Sequence, residues 1–312
     1  MSSTETPSAV EKPVSVGPTR FIDPTVLSRI ENLELLARTV VEGFVQGLHK
    51  SPFLGFSVDF AEYRPYQPGD AIRTIDWNVF SRLDRLFVKL YDGETNTHIN
   101  FLTDVSGSMA YGSGAVTKME YAKYLTASLI YFAHHQRDGV GLVTFDTEVV
   151  SHVPAGRRSG QLMNLLVGVE RAEASKETEF RKPLDYMAEF LKRRGIVVLI
   201  SDLYDEVENI VSGVRNLRAK GNDVIVFHIL DDFELNFPFE NMTEFEDLET
   251  TKKLNVIPGH LRKEYLKLIH GHIAAFESEF ASIGVDYTLM NSSKPLDQGL
   301  FRYLAKRSQT RR

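Results

Sequence analysis

Thr97-His98-Ile99-Asn100-Phe101-Leu102-Thr103-Asp104-Val105-Ser106-Gly107-Ser108-Met109 is the stretch whose reading decides the fold. It opens as an apolar run of the kind that forms a buried strand. It closes on a carboxylate and two hydroxyls, and a helix is expected after them. A strand that stops in Asp104, Ser106 and Ser108 offers three hard oxygens on one turn, which suits Mg²⁺ or Mn²⁺. Gly107 lets the turn bend tightly enough for both hydroxyls to face the same way. By itself the pattern also fits an ordinary strand-to-helix turn in which Asp and Ser act as caps.

Downstream the pattern alternates. Thr117-Lys118-Met119-Glu120 reads as a capping box that opens a helix with Tyr121, Leu125, Leu129 and Phe132 on its apolar face. Val140 to Phe145 and Val149 to Val153 read as strands. Helices are expected over about 160–170 and from Arg181-Lys182-Pro183 to Arg194, the second with a basic last turn and Gly195 as its stop. Ile196-Val197-Val198-Leu199-Ile200 is apolar throughout, as strands of parallel sheets are, and it ends in Ser201-Asp202. A helix over 206–220, a strand over 224–230 and a hairpin-like stretch over 243–256 follow. A long helix over 258–282, a last strand over 285–290 and a closing helix over 296–306 complete the series. Elements alternating in this way imply an α/β fold, a doubly wound and mostly parallel sheet flanked by helices.

In such sheets ligands bind at the carboxyl ends of strands, where the strand order reverses. Asp104 and Asp202 each close a strand, and the loop Ser175-Lys176-Glu177-Thr178-Glu179 carries a hydroxyl just before a helix. One octahedral Mg²⁺ (or Mn²⁺) can be held directly by Ser106, Ser108 and Thr178, with Asp104 and Asp202 binding through waters. Thr147 and Ser175 are rivals for the place of Thr178. Asp231 and Asp232 follow a strand and either rim the metal face or, the preferred reading, are solvated loop charges.

Upstream, residues 1–20 are rich in Ser, Thr, Pro and Glu and read as a disordered tail. Asp23-Pro24 starts a helix, and apolar residues at helical spacing carry it to about His49, giving an N-terminal helix over 21–50. Its stripe, Leu33, Leu36, Val40 and Phe44, is expected to pack on the body of the chain. Residues 51–95 mix aromatics, Trp77 among them, with charges of both signs. They read as a packed polar segment lying on the main domain, which covers 96–312.

The 312 residues are 43% hydrophobic and 25% charged, which is a globular composition, and the net charge of −6 argues against a general nucleic-acid surface. The absence of cysteine excludes disulfides, zinc–thiolate sites and thiol nucleophiles. No signal peptide or membrane-length apolar run is read, so a soluble, cytoplasmic protein is expected. No G-x-x-x-x-G-K-[ST] loop and no G-x-S-x-G elbow is present. His134-His135 and His270-x-His272 lack the spacing of a metal motif.

Asp104-x-Ser106-x-Ser108, then Thr178, then Asp202 resembles the metal-ion-dependent adhesion site of von Willebrand factor A domains. The segment before it, DFAEYRPYQPGDAIRTIDWNVFSRLDRLFVKLYDGE, is similar to the signature of the bacterial domain-of-unknown-function family 58. That resemblance implies a non-enzymatic, metal-dependent protein-binding module whose ion takes a carboxylate from a partner. It also implies a MoxR-type AAA+ ATPase as that partner, with this chain as its adaptor or co-chaperone. A metal-dependent hydrolase or phosphatase using the same Asp, Ser and Thr cluster is the alternative.

Overall fold

Asp23 accepts a hydrogen bond from the Thr25 backbone N–H at 2.9 Å, and Pro24 stands at the first helical position, so a helix starts here. It lasts one turn, α1 (Pro24–Leu27). Asn32 then accepts from the Leu35 N–H at 2.8 Å and opens α2 (Leu33–His49). The single helix expected up to His49 is therefore two. An Asn side chain competes for backbone N–H groups and favours a new start over an uninterrupted helix. The computed structural model describes residues 23–49, 62–65, 87–90, 97–174, 179–191, 193–240, 243–246, 253–256, 258–297 and 299–300. Strands β1 (Glu62–Pro65) and β2 (Phe87–Leu90) pair antiparallel. The rest of the aromatic and charged segment, with Arg73, Asp76 and Trp77, lies outside the described residues, as do the N-terminal tail and the chain beyond residue 300.

The remaining elements are β3 (His98–Asp104), α3 (Lys118–His135), β4 (Gly139–Phe145), β5 (Val149–Gly156), α4 (Gln161–Glu170) and α5 (Arg181–Phe190). They continue with β6 (Ile196–Ser201), α6 (Val207–Ala219), β7 (Asp223–Leu230) and α7 (Asp232–Asn236). The antiparallel pair β8 (Thr243–Glu246) and β9 (Lys253–Val256), the long α8 (Pro258–Ser282) and β10 (Asp286–Asn291) end the series. The capping box at Thr117 forms as read: Thr117 Oγ1 accepts from the Glu120 N–H at 3.1 Å, and Glu120 accepts from the Thr117 N–H at 2.7 Å. Helix α5 stops short of Arg194, because Leu191 turns extended at ψ 95°. Gly195 is thus no helix stop. A Cβ there would lie 2.2 Å from the His98 carbonyl oxygen, so it marks a close passage of two backbones.

The main sheet has six strands in the order β10-β7-β6-β3-β4-β5, all parallel except the edge strand β5. This is the α/β architecture the alternation predicts. Both faces are covered because strand side chains alternate. Ile99, Phe101, Ile196, Val198, Ile200, Ile225 and Phe227 join one core with residues of α2, α3 and α4. Leu102, Val197, Leu199, Val224 and Val226 join the other with residues of α5, α6 and α8. The first core includes Leu36, Ala37, Val40 and Val41, so α2 lies on the body of the chain against α3.

Candidate functional site

Strand β3 starts the sheet. The chain builds outward through β4 and β5, then returns to build β6, β7 and β10 on the other side of β3. The order reverses between β3 and β6, and the crevice at their carboxyl ends is where a doubly wound sheet takes its ligand. Asp104 is the last residue of β3, and Asp202 directly follows β6.

Asp104 is fully buried. Its Oδ1 accepts from the Ser106 N–H at 2.8 Å, and its Oδ2 accepts from Ser201 Oγ at 2.6 Å. Ser201 Oγ in turn accepts from the Leu203 N–H at 2.8 Å. Leu203 has φ 55°, a left-handed conformation that a bulky side chain adopts only when its surroundings impose it. The same hydroxyl therefore ties the end of β3 to a strained turn after β6. Ser106 and Ser108 point their hydroxyls together, with Oγ···Oγ at 3.0 Å. Ser106 is buried and Ser108 partly exposed, so the pair opens toward solvent on one side.

Asp202 is also fully buried. Its Oδ2 lies 2.8 Å from Lys118 Nζ, which is buried completely and lies 2.7 Å from Glu234 Oε1. Asp202 Oδ1 has no hydrogen-bond partner among the described residues. Burial first, and then the charge of Asp202, push the Asp104 acid up to about 7. Burial works against the Lys118 ammonium, but the charges of Asp202 and Glu234 outweigh it and raise its pKa. Burial likewise raises Glu234, with Lys118 opposing.

These atoms suit a hard divalent cation. The 3.0 Å between the serine hydroxyls matches the separation of two neighbouring ligands each about 2.1 Å from an octahedral ion. An orphaned carboxylate oxygen and a second carboxyl whose ionisation is opposed by burial and then by its neighbour are what a nearby cation would relieve. Among the described residues no three His, Cys, Asp or Glu side chains gather around a common point, so a cation here has to rely on hydroxyls. Thr178 and its rival Ser175 lie outside the described residues. The other rival, Thr147, sits on the turn after β4 with its Oγ1 3.4 Å from Asp146 Oδ1.

Three residues of the site escape a reading of the sequence. Ser201 looks like a strand end, and Glu234 looks like the last member of a local capping box, which it also is: its Oε2 accepts from the Asp231 N–H at 2.7 Å. Lys118 did leave a signal, because a cation at the first position of a helix opposes the macrodipole and calls for a tertiary reason. Asp231 corrects an expectation. It is fully buried and no solvated charge. It accepts from the Ser113 N–H and hydroxyl, the Phe233 N–H and Ser292 Oγ, and so ties the loop after Ser108 to the start of α7.

An uncharacterized protein of Mycobacterium tuberculosis is 22% identical over 312 residues, spanning 98% of this chain and 97% of its own. BatB of Bacteroides thetaiotaomicron, a conserved hypothetical protein of known structure, matches 68% of this chain and 99% of its own at 15% identity and a TM-score of 0.47. The SpRpn10 VWA domain matches 66% of this chain and 94% of its own at 13% identity and a TM-score of 0.39. The fold is carried by the strand order itself and not by these distant likenesses. The family model described as "Protein of unknown function DUF58" matches residues 62–274, and the chain belongs to that family.

Proposed function

We propose that this protein is a non-enzymatic protein-binding module that takes up Mg²⁺ or Mn²⁺ at the carboxyl ends of β3 and β6 and offers it to a carboxylate of a partner. The observation that carries this reading is the paired hydroxyls of Ser106 and Ser108 beside a buried Asp202, one oxygen of which has no hydrogen-bond partner among the described residues. In this reading Ser106, Ser108 and Thr178 hold the ion directly, while Asp104 and Asp202 hold its waters. When bound, the ion supplies an electrophilic coordination position. Everything else is done by the chain. Asp104 orients the Ser106 backbone, Ser201 fixes Asp104, and the partly exposed Ser108 and Tyr204 leave the face open to a protein. Ser106 Oγ is paired with Ser108 Oγ and not with an imidazole, which speaks against a serine nucleophile.

The partner is a MoxR-type AAA+ ATPase, with this chain as its adaptor or co-chaperone in the bacterial cytoplasm. That part of the proposal rests on the family resemblance. Among the described residues no helix is long and apolar enough to cross a membrane. Calorimetry with Mn²⁺ on the wild type and Asp104→Ala tests the site, and binding of the cognate ATPase in Mg²⁺ and then in EDTA tests the partner. The expected results are heat lost in the variant and affinity lost in EDTA. Equal heats, or metal-dependent turnover of a phosphomonoester that vanishes in Ser106→Ala, would replace this reading with another.

A further inference from the structure

Lys118 has no part in the metal shell just proposed, yet it is built into it. Its Nζ stands between Asp202 Oδ2 at 2.8 Å and Glu234 Oε1 at 2.7 Å, with no exposure to solvent. The rings of Tyr204 and Tyr111 lie near it, their centroids 4.8 and 5.9 Å from Nζ. The backbone holds it there as well, since the Lys118 N–H donates to the Tyr111 carbonyl at 2.8 Å and closes the loop that follows Ser108. An ammonium so enclosed cannot reach a partner protein. What it does reach is the carboxylate whose other oxygen has no hydrogen bond among the described residues.

We propose that Lys118 is a resident internal cation that shares Asp202 with the divalent ion and holds the affinity of the site for that ion down. The inference rests on the metal reading above. Two cations beside one buried carboxylate repel each other, and the repulsion is strong where water is excluded. Glu234 draws the ammonium partly away from Asp202, so it works in favour of the ion. Lys118 thereby makes stable occupancy depend on the further negative charge that a partner's carboxylate brings. A purely structural Lys118 makes the opposite forecast: if it only held Asp202 in place, removing it would loosen metal binding.

The test is Mn²⁺ titration calorimetry on the full chain, with thermal unfolding followed in parallel. Lys118→Met is expected to bind Mn²⁺ roughly tenfold or more tightly than the wild type, although its metal-free form unfolds at lower temperature. Glu234→Gln is expected to bind it more weakly, because the ammonium then belongs to Asp202 alone. The double variant Lys118→Met/Glu234→Gln removes one charge of each sign. It should still bind more tightly than wild type, and it serves if the single variant does not fold. Lys118→Met, or the double variant, binding as the wild type does or more weakly overturns the proposal and leaves the metal reading standing. Mn²⁺ heat absent from every variant overturns the two together.

Discussion

At the scale of single residues, the sheet carries two buried groups whose protonation tilts stability in opposite directions. His228, fully buried in β7 with its Nδ1 2.7 Å from Tyr287 Oη, is pushed by burial from 6.5 down to about 3. The unfolded chain binds a proton there below pH 6.5 and the folded chain does not, so its contribution is lost as pH falls from 6.5 toward 3. Asp104 is raised from 3.8 to about 7, so its contribution is present at low pH and is lost as pH rises through 7. In the wild type the two offset each other between pH 5 and 7. Asp104→Asn should leave a protein that loses stability on acidification from pH 7 to 5, by about 2 kcal/mol from His228. His228→Gln should leave one that gains. Urea unfolding at the two pH values measures both, and variants that kept the wild-type pH dependence would contradict the assignment.

At the scale of elements, the approach of β6 to β3 is set by the absence of one atom. Gly195 precedes β6, and the Cβ of an alanine there would lie 2.2 Å from the His98 carbonyl oxygen at the start of β3. A backbone oxygen cannot rotate away as a side chain can. Gly195→Ala should therefore destabilise the protein by roughly 2–4 kcal/mol, read as a lower urea midpoint with an unchanged slope. It should also disturb the crevice, because Asp104 and Asp202 sit at the far ends of these two strands. Helix α2 makes a second element-scale case. Leu36 is fully buried in the core shared with α3, and Leu36→Ala should cost about 2–5 kcal/mol. A cost below 1 kcal/mol would mean that α2 docks loosely.

At the scale of the whole molecule, α2 covers one face of the main domain although it stands far from that domain in sequence. Removing residues 1–50 would expose apolar surface of α3 that Leu36, Ala37, Val40 and Val41 now cover. The truncated chain is expected to melt at lower temperature or to aggregate, while removal of residues 1–20 alone should leave the melting temperature unchanged. Calorimetric scans of the two truncations check this, and an unchanged melt for the longer one would make the helix a detachable arm. The switch point, the loop tied down by Asp231 and the turn at Leu203 all meet at the carboxyl ends of β3, β6 and β7.

Periodicity and local chemistry were enough for the alternating elements and the sheet class. An apolar strand such as Ile196–Ile200 admits few environments, and a capping box is a contact between residues three apart. The same logic placed Asp104 and Asp202 at strand ends. It erred where two local preferences competed, as at Asn32, where a side chain opened a new helix, and near Leu191, where the chain left the helix before its basic residues were used. What it could not reach was the pairing of charges distant in the chain. Lys118 and Asp202 are 84 residues apart, Lys118 and Glu234 116 apart, and Ser113 and Asp231 118 apart. No spacing rule links such positions, because only the packed sheet brings them together, and only burial turns an ordinary lysine and a loop aspartate into groups that must find partners. The sequence by itself determined which oxygens end the central strands. The tertiary structure alone decided that a lysine stands among them.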